Sequence, residues 1–252
     1  MNVEAYLARI GCEAPLEPTY ETLRELQTAH MRTVPFENLD IVPLHRSIRL
    51  DEASLWHKII EDKRGGFCYE LNGLYAWLLK QIGFQIRYLN GRVFNRKEEL
   101  GIEFDHLALL ASLPGDPISW LADVGFGDSF LEPLELHEGE QPQGMRAYRL
   151  EPARDGWISW ERGYDRAWRR QYFFDLAPRT FPDDYEAGCR YHQQSPDSSF
   201  TRGPVISRAT EDGRVTLDDT MLIITSNGGR SERPVSAEEW PRLLWEHFGV
   251  IL

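Results

Sequence analysis

The period of the apolar positions changes once along this chain, at Gly83, and that change dictates the fold class. Before it, Phe67, Leu71, Leu74, Tyr75, Leu78, Leu79 and Ile82 recur at helical spacing, so Phe67 to Ile82 reads as an amphipathic helix that Gly83 ends. After it, β-branched and aromatic residues gather in short runs: Phe84 to Phe94, Phe104 to Leu113, Ile118 to Phe126, Ala147 to Glu151, Trp157 to Glu161 and Gln171 to Leu176. The reading is an α+β chain, ordered as helices, then a β-rich layer or small barrel, then a mixed third.

Breakers divide the helical third at Gly11, at Pro15 and Pro18, at Pro35, at Pro43 and at Gly65-Gly66, and Asp51 caps a helix reaching Asp62. Pro178 to Ser199 mixes loop with a short helix. Val205 to Ala209 and Val215 to Thr225 form a hairpin around Asp212-Gly213. Ser236-Ala-Glu-Glu239 carries the capping-box pattern of a final helix, with Pro241 close to its start. No internal repeat and no Gly/Ser linker separates these zones, so they pack as one unit.

Charge and cysteines narrow the function. Against 28 Lys and Arg stand 40 Asp and Glu, a net charge of −12, which disfavours nucleic acid and anionic lipid as partners. Three cysteines without C-x-x-C spacing make neither a disulfide framework nor a zinc cage. Glu4 and Arg9 interrupt the N-terminal stretch where a signal peptide is apolar, and no later run approaches membrane-spanning length, so a cytoplasmic location is expected. His30, His45, His57, His137, His192 and His247 show no metal-ligand spacing, and no metal is expected.

The chemistry centres on Arg64-Gly-Gly-Phe-Cys-Tyr-Glu-Leu-Asn72, which sets a thiol just after a glycine break at a helix start. There the positive end of the helix favours a thiolate, whereas a cysteine that merely packs is the plainer reading. Two strands follow, Phe104-Asp-His106-Leu-Ala-Leu-Leu and Trp120-Leu-Ala-Asp123-Val-Gly-Phe-Gly127. If Pro114-Gly-Asp-Pro117 closes a hairpin with Leu113 facing Ile118, His106 lies opposite Gly125 and Asp123 sits diagonally beside His106 on the same face. Alone, His106 reads equally as a core histidine and Asp123 as a strand-end turn residue. Together with Cys68 they fit nucleophile, base and orienting carboxylate.

These residues resemble the arylamine N-acetyltransferases. Arg64 to Asn72 is similar to that family's active-site motif, and Val34-Pro-Phe-Glu-Asn-Leu-Asp-Ile41, Gly91-Arg-Val93, Asp123-Val-Gly-Phe-Gly127 and the closing Glu246-His-Phe-Gly-Val-Ile-Leu252 match its pattern in order and spacing. The resemblance implies three parts: a helical bundle over residues 1–85 with the cysteine, a β-barrel over 86–180 with the His and Asp, and an α/β lid over 181–252. It implies a Cys68, His106, Asp123 triad that takes acetyl from acetyl-CoA and passes it to an arylamine, arylhydrazine or arylhydroxylamine, releasing coenzyme A. It further implies a substrate site built from Phe36, Phe67, Tyr69, Val93, Gly125, Phe126, Gly127 and Phe200, in a monomer or homodimer. Phe67 reads equally as core, and Phe126, flanked by glycines, is best placed for close approach of a ligand.

Arg9, Glu37 and Arg64 read as a structural ion-pair network, and Arg96, Lys97 and Arg202 as surface charges within reach of a pyrophosphate. The chain departs from the family at Asp105, where many relatives have Thr and where a carboxylate near the acyl-donor entrance bears on the donor contacts or on the charge of the histidine, and at Gln194-Ser195-Pro196, so CoA affinity and donor preference are where it is expected to differ. The triad alone also fits a transglutaminase-like or papain-like hydrolase, or an amide synthase acting on a tethered acyl chain. A binding module that lost its chemistry is the remaining alternative, disfavoured by the intact triad.

Overall fold

The computed structural model describes residues 1–13 and 17–252; Pro15, read as a breaker, lies outside the described residues. The helical part holds α1 (Val3–Ile10), α2 (Tyr20–Thr33), a two-residue strand β1 (Phe36–Glu37), α3 (Glu52–Trp56) and α4 (Cys68–Ile82). Asp51 caps α3 as expected, its Oδ1 accepting from Ser54 N at 3.0 Å. The helix does not run on as a regular α-helix to Asp62, because its second half widens into a π turn over His57–Glu61. Gly83 ends α4 at φ 113°, a left-handed conformation that favours glycine.

Eight strands follow, β2 (Gln85–Val93), β3 (His106–Ser112), β4 (Ser119–Ala122), β5 (Leu134–Glu135), β6 (Gly139–Gln143), β7 (Arg146–Ala153), β8 (Gly156–Arg162) and β9 (Trp168–Phe174). They make one antiparallel sheet in the order β5-β4-β3-β2-β9-β8-β7-β6. Its two ends meet through side chains. Gln141 exchanges hydrogen bonds with the backbone of Glu135 at 2.9 Å in both directions, and Gln143 accepts from Leu131 N at 2.9 Å and donates to Glu132 O at 2.7 Å. Amide side chains replace a backbone ladder and bring the sheet close to a closed barrel. Neither β5 nor β6 carries an alternating apolar pattern, which is why sequence reasoning passed over them.

Strand β3 explains how helices and barrel share a wall. Leu107, Leu109 and Ala111 face the helical core, and Ala108 and Leu110 face the barrel interior. Both faces are dry, so the run reads as continuously apolar. Helix α4 lies on the outer face of this strand, its Leu71, Leu74 and Leu78 fully buried.

The remaining elements are α5 (Glu186–Gln194), β10 (Val205–Ala209), β11 (Gly213–Asp218), β12 (Met221–Ser226), β13 (Gly229–Pro234) and α6 (Trp240–Phe248). A second antiparallel sheet runs β1-β10-β11-β12-β13. The run Val215 to Thr225, expected as one arm of a hairpin, is two strands. Asp218 Oδ1 accepts from Thr220 N at 2.8 Å and Met221 N at 2.7 Å, turning the chain between them. Strand β13 is polar and wholly exposed, which hid it from pattern reading. The Ser236 and Glu239 contacts of the capping box do form, at 3.3 and 3.4 Å, but in a turn before α6, and Pro241 falls in the first turn, where its missing N–H breaks no bond.

Five charges lie beneath the start of α4. Arg64 bonds Glu37 at 2.7 Å and Asp40 at 3.3 Å, while Lys58 reaches Asp40 and Glu70 at 2.7 Å and Glu37 at 3.8 Å. Glu37 and Arg64 thus form the network expected of them. Arg9 does not join it, donating instead to the carbonyls of Ile59, Thr33, Lys63 and Arg64 at 3.0 to 3.2 Å. Three carboxylates against two cations leave an excess negative charge out of water. Burial pushes the Glu70 carboxyl up to about 7, Lys58 pulling it back and Glu37 pushing it further.

Glu70 therefore holds its proton more tightly in the folded chain than in the unfolded one, where its ordinary value is 4.5, and folded stability is lost as pH rises from there to about 7. Glu70→Gln removes this titration. The Tm of the native protein minus that of the variant should fall by several degrees between about pH 5 and about pH 8. A difference that stays flat or grows would show Glu70 ionised throughout.

Candidate active site

Cys68 is the first residue of α4. The preceding Phe67 is extended, at φ −99° and ψ −173°, and its N–H donates to Glu70 Oε2 at 3.1 Å, so the helix start is held by its own third residue. Gly65 and Gly66 precede it for steric reasons: a Cβ at Gly65 would lie 1.9 Å from Pro35 O, and one at Gly66 would lie 2.7 Å from Glu70. Gly125 packs on the other side, where a Cβ would come within 2.7 Å of Cys68 Cα. The glycines let three segments close around the thiol.

The observed register of β3 and β4 pairs Leu109 with Ala122 and Ser112 with Ser119. Continued by three residues, it sets His106 opposite Gly125, as the hairpin argument requires, although regular pairing stops at Ala122. His106 Nε2 and Asp123 Oδ2 lie 2.7 Å apart, both side chains buried. Asp123 also accepts from Asn72 Nδ2 at 2.9 Å, Gly125 N at 2.9 Å and Tyr172 OH at 3.0 Å. Burial alone raises a carboxyl, yet His106 and these donors hold Asp123 below its ordinary value, so it stays a carboxylate. Asp123 engages Nε2, which leaves Nδ1 as the ring nitrogen outside this contact.

Burial pushes the Cys68 thiol well above its ordinary value, with a hydrogen bond from Leu107 N–H acting the other way. Burial thus opposes the thiolate that the helix start favours. A candidate base, His106, lines the same cavity.

That cavity is about 210 Å³ and is lined by Phe36, Cys68, Val93, Asp105, His106, Gly125, Phe126, His192, Ser199 and Phe200. Five of the eight residues expected to contact substrate, Phe36, Val93, Gly125, Phe126 and Phe200, are on its wall. Phe67 and Tyr69 are not; both are fully buried behind it, the Phe67 ring packed edge-on against Tyr69 at 5.0 Å and Phe200 at 5.8 Å. The Tyr69 hydroxyl donates to Phe104 O at 2.5 Å. Gly127, at φ 91°, sits behind Phe36, where a Cβ would lie 3.5 Å from its ring. Arg96 and Lys97 are exposed on a turn, and Arg202 donates to Asp197 O at 3.2 Å.

Three contributors escaped sequence reasoning. Asn72 was legible, since it stands one helical turn after Cys68 on the same face; its amide also donates to Leu107 O at 2.6 Å and accepts from Val124 N at 3.0 Å. Tyr172 comes from β9, four strands away from β5, with nothing local to mark it. His192 lies on α5, in a segment without readable period, and meets Asp105 across the cavity wall at 3.1 Å. Among the described residues no group of His, Cys, Asp and Glu could hold a metal, and no helix is long and apolar enough to cross a membrane.

Known proteins match this chain in sequence and backbone over nearly all of its length. A family model described as N-acetyltransferase matches residues 19–252. The arylamine N-acetyltransferase / N-hydroxyarylamine O-acetyltransferase of Salmonella typhimurium is 34% identical, over 98% of this chain and 88% of that protein. The proansamycin X synthase of Amycolatopsis mediterranei is 29% identical, over 96% and 95%. The crystal structure of the Nocardia farcinica arylamine N-acetyltransferase superposes with a TM-score of 0.91 at 36% identity, covering 100% of this chain and 90% of that one. Likeness in sequence and in backbone at this coverage settles the family: the chain belongs to the arylamine N-acetyltransferases.

Proposed function

We propose that the chain moves an acetyl group from acetyl-CoA to the nitrogen of an arylamine, arylhydrazine or arylhydroxylamine, through a thioester on Cys68. The observation that carries this reading is the buried 2.7 Å His106 to Asp123 contact beside Cys68 in one small aromatic cavity. In the first half-reaction His106 Nδ1 takes the thiol proton as Cys68 Sγ attacks the acetyl carbonyl carbon. The carbon–sulfur bond to coenzyme A breaks, and the departing thiolate recovers that proton from His106. In the second, the amine nitrogen attacks the acetyl-cysteine carbonyl, His106 accepts the amine proton, and Cys68 leaves and is reprotonated.

Asp123 does not transfer a proton in this scheme. It fixes the ring orientation and stabilises the imidazolium that forms twice per cycle. Phe36, Phe126 and Phe200 give an aryl ring flat apolar surface and keep water from the thioester, which favours transfer to an amine over hydrolysis. The kinship with proansamycin X synthase raises amide synthesis on a long tethered chain as a second reading. A cavity of about 210 Å³ is smaller than the roughly 300–1,000 Å³ of pockets for drug-sized ligands, and suits a single ring and an acetyl group better.

Intact mass of the protein mixed with acetyl-CoA and no acceptor should show one acetyl adduct, absent in Cys68→Ala and discharged by a simple aromatic amine. An adduct that no arylamine discharges would return the acceptor to the amide-synthase reading, and no adduct would favour another donor or a hydrolase. Because the buried thiol relies on His106, His106→Gln should slow iodoacetamide alkylation of Cys68 at neutral pH by about 100-fold or more. An unchanged rate would reject the assisted-thiol scheme. Asp123→Asn should lower kcat by about 10³ to 10⁴-fold with cooperative unfolding retained, since the amide cannot hold the same tautomer; a loss under tenfold would remove Asp123 from the triad.

A further inference from the structure

The wall of the catalytic cavity carries one carboxylate outside the triad and, among the described residues, no lysine or arginine. That carboxylate is Asp105, whose Oδ2 accepts from Val93 N at 3.1 Å and whose Oδ1 faces His192 Nε2 at 3.1 Å. The loop before it closes tightly on the same group, for a Cβ at Gly101 would lie 2.1 Å from Oδ2. His192 offers nothing to an incoming anion. Its Nε2 is taken by the Asp105 backbone carbonyl at 3.1 Å, with Oδ1 at the same distance, and its Nδ1 is 3.1 Å from Ser198 Oγ, with the Phe200 ring edge-on at 5.1 Å. His106 is committed through Nε2 to Asp123. A carboxylate brought into this cavity would lose its water, find no free donor cation and stand beside Asp105.

We propose that Asp105 is a specificity-determining residue that restricts the acceptors to neutral arylamines and hydrazines, excluding those with a carboxylate on the ring. The proposal rests on the acyl-transfer reading of the same site. It assigns a purpose to the His192 contact: the imidazole, bonded to the Asp105 carbonyl and close to Oδ1, fixes the residue, and Val93 N–H holds its carboxylate at the wall, where its charge acts on the acceptor. Asp105 makes no covalent step and moves no proton.

The test compares 4-aminobenzamide with 4-aminobenzoate, which are close in size and in amine basicity and differ in charge. Acetyl-Cys68 is formed first with acetyl-CoA, then mixed with each acceptor, and its discharge is followed by intact mass. The native protein should be discharged by the amide at least about 100-fold faster than by the acid. In Asp105→Asn, which keeps an oxygen for Val93 N–H, this ratio should shrink about tenfold or more. Ser199→Arg places a cation at an exposed position on the cavity wall and should speed discharge by the acid relative to the amide, a gain that a misfolded variant cannot produce. Equal discharge of the native acetyl-enzyme by both acceptors would overturn charge selection, and a ratio untouched by Asp105→Asn would overturn the role of Asp105. Failure to form the acetyl-enzyme at all would instead bring down the acyl-transfer reading, and this inference with it.

Discussion

The structure turns on a buried carboxylate that must not be left alone. Asp123 is fully out of water and collects donors from a helix, from its own turn and from the far side of the barrel: Asn72, Gly125, Tyr172 and His106. Each comes from a different stretch of chain, and removing any one leaves part of a charge unsolvated. Gln27 extends the knot into α2, its Oε1 accepting from Asp123 N at 3.1 Å. Solvating one anion without water therefore requires α2, α4, β9 and the turn after β4 to meet at a single point. The catalytic geometry and the joining of helices to barrel are the same set of hydrogen bonds.

Much of this was legible in the sequence where the controlling interactions are local. The helix from Cys68 follows from its apolar spacing and Gly83, and the approach of His106 to Asp123 follows from a four-residue turn and a two-residue period. Features built on long-range closure were not legible. The Gln141 and Gln143 amides that draw the barrel ends together sit in a polar segment, and β13 is an edge strand with no apolar face. His192 needed the fold to bring α5 against Asp105, the residue before His106. The π turn at His57–Glu61 has no sequence signature that we can identify.

Local electrostatics govern this molecule more than its net charge of −12. The five charges under α4 and the Asp105–His192 contact each tie down a loop near Cys68. In the first, Arg64 and Glu37 fix the segments entering the helix. In the second, Asp105 pins the loop after β2, and His192 with Ser198 pins the turn that carries Phe200. Burial makes both groups costly, and neither is a catalytic residue. Their return is rigidity where the cavity wall is otherwise loop.

Strand β1 is only two residues long, but its position couples the mechanics of the whole protein. Phe36 and Glu37 pair with Ser207 and Ile206 of β10, while Glu37 N donates at 2.8 Å to the carbonyl of Gly66, two residues before the nucleophile. Asn38 then fastens Phe200, Gly203 and Val205 by hydrogen bonds of 2.7 to 2.9 Å. The second sheet is stitched into the helical part at the very peptide that leads to Cys68, so it cannot hinge away as a rigid flap without tearing the helix start. The span between Ser195 and Gly203, which carries Phe200, is thereby tied from two sides, by His192 through Ser198 and by Asn38 through Phe200 and Gly203, so a wall made of loop moves with the helix start and the second sheet together.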